Sequence, residues 1–309
     1  MSNASPPPEV RRLLAKRRAA RDDHDWPRAD ALRDQLAALG WQVEDGTSRS
    51  TVRPMLPPSA TAPGAEELKS RLDDPASVAA SVQVAAEDDP GDLERLLGGL
   101  VAHPPSLAWQ LVVVANAPSF DLEPVIASAG LPVLPEVLSV KARLGWAEAR
   151  TLGLRRSSGE ITVLLDTSLE PVGDFLAPLA AAFDDPTVGV AGPWGVTSGD
   201  GRQFAEAPPG EVDAIEGYCL AIRRAALRAV GGFDPRFRFY RNADLDLSFA
   251  VRNAGWRAVR TDPLPLARHE HRGYAALPDA ERDRLSKRNF YRFLEHWGDR
   301  RDLLVHPDD

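Results

Sequence analysis

Short apolar runs alternate with amphipathic stretches between about residue 76 and residue 192. The runs have the composition of buried strands, and the stretches between them carry apolar residues at helical spacing. This alternation predicts an α/β fold, a mostly parallel sheet with helices on both faces. The predicted strands are, in order, SVQVAA, QLVVVAN, LPVL, EITVLLD and VGVAG. The predicted helices start at Pro90, lie near residues 121–129, start at Gly145 and lie near residues 173–184.

A separate helical pattern precedes the strands, in residues 9–53. Its first half has apolar residues at helical spacing among arginines, which predicts one helix. Asp25 is then a typical N-cap residue, Pro27 suits the first turn, and leucines recur at helical spacing as far as Gly40. The run WQVE that follows alternates like a short strand. We therefore predict a small helical hairpin module with a tail.

Proline marks the end of this module. The chain has 27 prolines among 309 residues, well above the average of about 5%. Four of them fall in RPMLPPSATAPGA, a composition typical of an extended linker. The predicted divisions are a disordered tail (1–8), the hairpin module (9–53), a proline-rich linker (54–75) and the α/β domain with a C-terminal amphipathic helix (76–309).

Charge and cysteine content exclude several classes of protein. The chain has 37 Lys and Arg against 45 Asp and Glu, a net charge of −8. This excludes a nucleic-acid surface over the whole chain, because such a surface is strongly basic. The single cysteine excludes an internal disulfide framework and a multi-cysteine zinc site. No apolar run approaches the roughly 18 residues of a membrane span, and no signal peptide is recognisable, so we expect a soluble, cytoplasmic protein.

One acidic residue stands where ligands of such sheets collect. Asp166 ends the predicted strand EITVLLD, and the carboxyl ends of parallel strands form the usual binding edge of an open α/β sheet. An acidic side chain there can bind a hard cation that in turn holds a diphosphate. The alternative is that Asp166 only caps the turn that follows.

The helical hairpin module has a recognisable relative. RADALRDQLAALG, within residues 9–53, resembles the core of the C-terminal module of cysteinyl-tRNA synthetases. The resemblance implies an RNA-contacting or docking appendage and brings no catalytic residue. The alternative is a hairpin used only for packing, which fold-level analogy does not exclude. Ten Lys and Arg against eight Asp and Glu give the module a charge of only about +2, so RNA stays open as a partner without being favoured.

A second resemblance covers about residues 76–300. RRAALRAVGGFDPRFRFYRNADLDLS is similar to a segment of family 2 glycosyltransferases, which have the Rossmann-like GT-A fold. LLDTSLEP stands where the family has an acidic metal-binding motif, and LARHEHRGY stands where it has a metal-binding histidine. RLSKRNFYRFLEHWGD is similar to the family's closing helix.

This resemblance implies an inverting glycosyltransferase, which moves a sugar from a nucleoside diphosphate sugar to a hydroxyl of a glycan or lipid-linked acceptor. Asp244 would be the base that takes the acceptor proton, and Asp246 would order Asp244 or a nearby loop. The alternative for both carboxylates is a favourable charge at a helix N-terminus, which contributes about 0.3–1 kcal/mol without any catalysis.

The resemblance also implies a divalent cation, Mn²⁺ or Mg²⁺, that neutralises the leaving diphosphate. Asp166 and His269 would hold it, with His271 as the second choice. The two histidines are two residues apart in a predicted extended stretch, so we expect them to point the same way. The remaining expected donor, sugar or acceptor contacts are Asn116, Glu216, Gly217, Tyr240, Arg241 and Asn242.

Several positions depart from the family's pattern. Ala85–Asp88 stand at the family's first turn, and Ala115 stands at its nucleoside-binding position. Thr151 replaces a family residue in the predicted helix that starts at Gly145. Ser168 stands at the second metal-binding acid, and Ala243 stands before the base. These departures keep two other hypotheses open: a GT-A-fold protein that binds without turnover, and an RNA-associated or translation-linked adaptor that acts through the N-terminal module.

The last predicted helix combines basic and aromatic side chains in RLSKRNFYRFLEHWGD. A basic amphipathic helix can lie on an anionic membrane, which would place the protein at the inner face of the membrane and suit a lipid-linked acceptor. The alternative is that the aromatic side chains pack on the protein's own domain while the arginines stay solvated.

Overall fold

The computed structural model describes residues 8–39, 41–45, 50–54, 60–61 and 68–308. The predicted disordered tail, residues 1–8, lies outside these ranges except for Pro8, which begins the first helix. The predicted helix stop at Gly40 also lies outside them.

The N-terminal module consists of two helices and a β-hairpin. They are α1 (Pro8–Asp22), α2 (Trp26–Ala38), β1 (Trp41–Asp45) and β2 (Ser50–Pro54). The side chain of Asp25 accepts a hydrogen bond from the backbone N–H of Arg28, which confirms the predicted N-cap of α2. β1 is the predicted WQVE strand. Its antiparallel partner β2 lies in the segment that we predicted only as the tail of the module. Apolar residues of both helices form the core of the module: Val10, Leu13, Ala20, Ala29, Leu32 and Leu36.

The elements of the larger unit follow in chain order. They are β3 (Ala60–Thr61), β4 (Val78–Ala86), α3 (Pro90–Ala102), β5 (Trp109–Ala115), α4 (Leu122–Ala129), β6 (Glu136–Ser139), α5 (Trp146–Arg155), β7 (Gly159–Leu165), β8 (Leu169–Pro171), α6 (Leu176–Ala181), β9 (Val188–Gly192), β10 (Gly195–Thr197), β11 (Ala205–Glu206), β12 (Gly210–Val212), β13 (Ala214–Ile215), β14 (Cys219–Arg223), α7 (Arg224–Val230), α8 (Ala243–Asn253), β15 (Arg257–Arg260), β16 (Leu266–Arg268), α9 (Arg272–Ala275) and α10 (Asp279–Trp297). Short 3₁₀ turns follow α6 and α10, at Ala182–Asp184 and Arg301–Leu303.

A large sheet forms the centre of this unit, with the strand order β12–β15–β9–β14–β7–β4–β5–β6–β3. β14 is antiparallel to β7 and β9, and β12 is antiparallel to β15, while the other neighbours pair in parallel. The predicted mostly parallel α/β sheet is therefore confirmed. The antiparallel direction of β14 matters for function, because it brings the residues before β14 to the edge where β7 ends.

Helices cover both faces of the sheet, as the near-continuous apolar strands require. Alternate residues of β5 show this: Val113 packs in the cluster with α3 and α4, whereas Val112 and Val114 pack in the cluster with α5. The helices α7 and α8 join α5 on the second face and bury residues such as Leu227 and Leu247.

The predicted strand LPVL is wrong. Residues 131–135 have no strand pairing, and the strand β6 begins only at Glu136. Pro132 and Pro135 explain the difference, because a proline has no backbone N–H to donate to a sheet. Leu131 and Val133 still pack against the core, so their apolar character reflects burial without pairing.

Parts of the predicted linker pack against the domain. Ala60–Thr61 extends the large sheet by pairing with β6. Further along, the side chain of Arg224 donates to the backbone oxygens of Arg71 and Asp74, and Leu72 is 6% exposed. Residues 68–75 are therefore held on the domain surface, whereas most of the remaining linker lies outside the described ranges.

The C-terminal helix α10 packs on the domain through its aromatic side. Phe293 is fully buried and meets Phe249 and Phe204 edge to face. Tyr291, on the other side of α10, is 62% exposed. Among the described helices, none is long and apolar enough to cross a membrane.

Candidate active site

Two neighbouring cavities open at the carboxyl edge of the central strands. The larger has a volume of about 420 Å³ and the smaller about 250 Å³. Trp146, Asp166 and His271 line both of them. These three side chains therefore form the junction of the two cavities.

Asp166 is fixed at this junction by the turn that follows β7. Its Oδ1 atom accepts hydrogen bonds from the backbone N–H and the hydroxyl of Ser168, at 2.9 and 2.6 Å. Its Oδ2 atom lies 3.7 Å from an Arg150 nitrogen and 3.7 Å from His271 Nε2. Ser168 thus orients one carboxylate oxygen of Asp166, and the other oxygen faces Arg150 and His271.

The two histidines have different surroundings, contrary to the expectation that they point the same way. His269 Nε2 lies 2.8 Å from Glu170 Oε2, where β16 pairs with β8. The ring of His271 stacks on Tyr240 with 5.0 Å between centroids. The alternation fails because β16 ends at Arg268, just before the two histidines. His271, the second choice from sequence, is therefore the histidine beside Asp166.

Asp244 lies in the first turn of α8 and lines the larger cavity. Its Oδ2 atom accepts a hydrogen bond of 2.8 Å from the backbone N–H of Gly217. Burial raises the pKa of Asp244 from 3.8 to about 6, and the negative charge of Glu216 adds to the rise while the Gly217 N–H opposes it. A glycine suits this close approach, because a Cβ at position 217 would lie only 3.3 Å from the Cβ of Asp244.

The other residues expected around the base line the larger cavity as well. Glu216 and Gly217 precede β14, and Arg241 and Asn242 precede α8. Burial raises the pKa of Glu216, and the positive charges of Arg268 and Arg241 oppose the rise. The structure therefore brings these four residues together with Asp244, and the role of each stays a prediction.

Asp246 and Asn116 lie elsewhere. Asp246 is 5% exposed, and its Oδ1 atom lies 2.8 Å from both His296 Nδ1 and Trp297 Nε1. Burial raises the pKa of Asp246, and its bonds to His296 and Trp297 oppose the rise. Asn116 exchanges hydrogen bonds with the backbone of Leu144. The described contacts of Asp246 join α8 to α10, and those of Asn116 fix a loop, so neither side chain lines either cavity.

Asp246 also belongs to a group of possible metal ligands. Ligand atoms of Asp234, Asp246 and His296 lie within 4.8 Å of one another. The guanidinium of Arg236 contacts both Asp234 and His296. None of the three residues lines either cavity, so this group lies apart from the candidate site.

Arg150 and Trp146 were not singled out from the sequence. Arg150 is 5% exposed, lies beside Asp166 and donates to Glu87 at 3.3 Å. Its guanidinium also lies 5.0 Å from the centre of the Trp146 ring. The available signal was an arginine on the buried face of α5, between Ala147 and Leu154, because an arginine on such a face needs a buried partner.

Comparison with known proteins follows the two parts of the chain. The family model described as glycosyl transferase family 2 matches residues 92–249. The model described as the cysteinyl-tRNA ligase anticodon binding domain matches residues 5–53. Both matches fall where the sequence motifs placed the two resemblances.

Individual relatives agree with this division. A pre-mycofactocin glycosyltransferase of Mycobacterium tuberculosis H37Rv is 29% identical over 192 residues, which cover 56% of this chain and 38% of that protein. A cysteine–tRNA ligase of Beutenbergia cavernae is 64% identical over 39 residues, 13% of this chain and 8% of the ligase. The chain thus matches well under half the length of either curated relative.

A solved structure supports the fold. The structure described as GalNAc-T7 with UDP, GalNAc and Mn²⁺ aligns with a TM-score of 0.60 and 16% identity. The alignment covers 73% of this chain and 50% of that one. At this identity the likeness shows the shared GT-A fold and confirms the predicted fold class.

Proposed function

Since the chain belongs to glycosyl transferase family 2, we propose that it moves a sugar from a nucleoside diphosphate sugar to a hydroxyl acceptor with inversion. The observation that carries this proposal is the pair of cavities that meet at Asp166 and His271. One cavity suits the nucleotide, and the other contains a carboxylate of raised pKa, Asp244, that suits a base.

The smaller cavity is the proposed donor site. It follows the ends of β4 and β7, where ligands of open α/β sheets bind. Arg150 lies at its inner end beside Asp166. A diphosphate at the junction would meet this buried guanidinium, which forms strong charge-assisted hydrogen bonds with phosphate oxygens.

The residues at the junction also fit a divalent cation. Asp166 Oδ2 and His271 Nε2 are 3.7 Å apart, close enough for both to bind one ion, and Mg²⁺ commonly takes only one or two carboxylates plus substrate phosphates. When bound, Mn²⁺ or Mg²⁺ would neutralise charge on the leaving diphosphate. Arg150 already supplies one positive charge there, so the protein itself would carry part of this neutralisation.

Asp244 carries out the proposed proton transfer. The acceptor oxygen forms a bond to the anomeric carbon from the face opposite the diphosphate, and the bond from that carbon to the diphosphate breaks with its electron pair. The acceptor proton passes to the Asp244 carboxylate. With a pKa of about 6, this group is ionised at neutral pH. The same pKa lies close enough to neutral pH for the carboxylate to take up a proton efficiently.

A screen of sugar nucleotides with and without MnCl₂ tests the proposal on the full chain. We expect at least one donor to raise the melting temperature in a metal-dependent way and to be hydrolysed slowly without acceptor. Asp244→Asn should keep the donor-induced stabilisation and lose turnover, while Asp283→Asn, an exposed position on α10, should keep both. If no sugar nucleotide changes the melting temperature, the proposal fails. Stabilisation without turnover in the unaltered chain would favour a binding protein.

A second function is proposed for the N-terminal module, contact with RNA. Trp26 is 52% exposed, with the His24 ring edge-on and the Arg21 guanidinium 5.8 Å from the Trp26 ring. An exposed aromatic ring beside an arginine is a typical stacking platform for unpaired bases. We expect the full chain to retard tRNA in a gel at low salt and Trp26→Ala to weaken the complex several-fold. Absence of binding at low salt would remove this hypothesis.

A further inference from the structure

We propose that the larger cavity takes an acceptor whose negatively charged group is remote from its reacting hydroxyl, with an aromatic or apolar body between them. This inference rests on the proposed function, because Asp244 defines where the reacting hydroxyl lies. It goes beyond that function by naming the chemical class of the acceptor and the direction in which it enters.

Positive charge without a direct ion pair is the first observation at the larger cavity, where Arg241 acts on Glu216 only through its field. Arg202, Arg241 and Lys287 line it, and all three side chains are exposed. Among the residues that the structure describes, none accepts a hydrogen bond from them or forms an ion pair with them. The smaller cavity differs, because Arg150 pairs with Glu87 there and Arg272 pairs with Asp89 and Asp92.

Charge is sorted by depth in the larger cavity. Asp166 is buried, and Glu216 and Asp244 are partly buried, whereas the three cations are exposed at the entrance. The cations come from three separate parts of the chain: the segment before β11, the segment before α8, and α10. An acceptor with its hydroxyl at Asp244 therefore directs its far end toward positive charge.

Five aromatic side chains line the larger cavity, beside both the buried carboxylates and the exposed cations. They are Trp146, Phe204, Tyr218, Tyr240 and Phe290. Such walls favour a flat or apolar body, and a cavity of about 420 Å³ has the size of a small-molecule site. A phosphate oxygen as the nucleophile would instead place the anion against Glu216 and Asp244, where like charges repel it. The reacting group is therefore a hydroxyl and not a phosphate.

A matched pair of small molecules tests the proposal without knowledge of the natural acceptor. 4-(Hydroxymethyl)benzoate and 4-(hydroxymethyl)benzamide share ring and hydroxyl and differ in charge at the opposite end. Titrations of the full chain followed by ligand-observed NMR should show the acid binding roughly five- to tenfold more tightly at low salt. The preference should shrink as NaCl is raised, because the cations are exposed.

Charge-removing variants locate the effect. Arg202→Gln, Arg241→Gln and Lys287→Gln in one protein should bring the affinity for the acid down to that for the amide. Arg284→Gln is the matched control: Arg284 is exposed on the same helix as Lys287, pairs with Glu281 and does not line the cavity, so the preference should survive. Equal binding of acid and amide to the unaltered chain would overturn the proposal, and so would a preference that persists in the triple variant.

Two further arms separate the remaining outcomes. Phosphatidylinositol in vesicles offers hydroxyls and an anion at a membrane, so its glycosylation would identify a lipid source, whereas glycosylation of only the soluble acid would identify a free acceptor. Glycosylation of dodecyl phosphate on phosphate would overturn the proposal. If the acid preference and its loss are found but no sugar nucleotide binds, the proposed function fails while the anion site stands. If a sugar nucleotide binds but the acid is not preferred, the acceptor proposal fails while the proposed function stands.

Discussion

At the scale of the residue, burial sets the chemistry of Asp244. Its pKa is raised to about 6 because the surrounding protein disfavours the charged form. In its proposed role as base, Asp244 would work only when ionised. We therefore predict that kcat/KM for transfer rises with pH through about 6 and levels off above it, falling about tenfold for each pH unit below. A pH–rate profile checks this, and a rate that stayed flat down to pH 4.5 would contradict it.

Ser168 gives a second prediction at this scale. Ser168→Asp would place a second carboxylate beside Asp166 at a position that is 2% exposed. Without metal, repulsion between the two should lower stability by about 1–3 kcal/mol. With MnCl₂ the loss should be recovered, because added ligand charge strengthens cation binding.

Melting temperatures with and without MnCl₂ measure this effect. Ser168→Asn is the matched neutral control, since it adds similar bulk without charge and should gain nothing from the ion. Equal responses to Mn²⁺ in the unaltered chain and both variants would contradict the prediction.

At the scale of the element, α10 holds the segment that leads into α8. The Asn289 side chain is fully buried and donates to the backbone oxygens of Phe239 and Arg241, at 2.6 and 2.8 Å. Asn289→Ala leaves both oxygens without this donor, so we predict a loss of about 2–4 kcal/mol in the free energy of unfolding. Urea denaturation measures it. Asn253→Ala, at an exposed position, should stay within about 0.5 kcal/mol.

Elements were predictable where local composition and burial coincide. β4 and β7 are mostly apolar and pair on both sides, so periodicity alone locates them. The segment at residues 131–135 is equally apolar, but its prolines prevent pairing. Periodicity reports burial, whereas a strand also needs a free N–H at each ladder position.

The candidate site divides in the same way. Asp166, Glu216 and Asp244 lie beside the ends of strands or at the start of a helix, so the fold class alone brings them to one edge. The choice between His269 and His271 could not be made from sequence, because it depends on where β16 ends. Arg150 was missed because its partners are distant in the chain and meet it only in the folded domain.

At the scale of the whole molecule, the two cavities depend on one part of the chain. Every described residue that lines them lies between Ala85 and Phe290. We therefore predict that removal of residues 1–53 changes the affinity for the sugar nucleotide less than about twofold. Calorimetric titration measures this, with an unchanged circular dichroism spectrum as the control for folding. A tenfold loss would show that the N-terminal module contributes to donor binding.

The common wall of the two cavities has a thermodynamic consequence. Trp146, Asp166 and His271 line both cavities, so a ligand that touches them from one cavity alters the surroundings met by a ligand in the other. Linkage makes this effect reciprocal: a donor that improves acceptor affinity by some factor has its own affinity improved by the same factor. In the proposed reaction the same relation holds for the two products, so a bound nucleoside diphosphate would change the affinity for the glycosylated product.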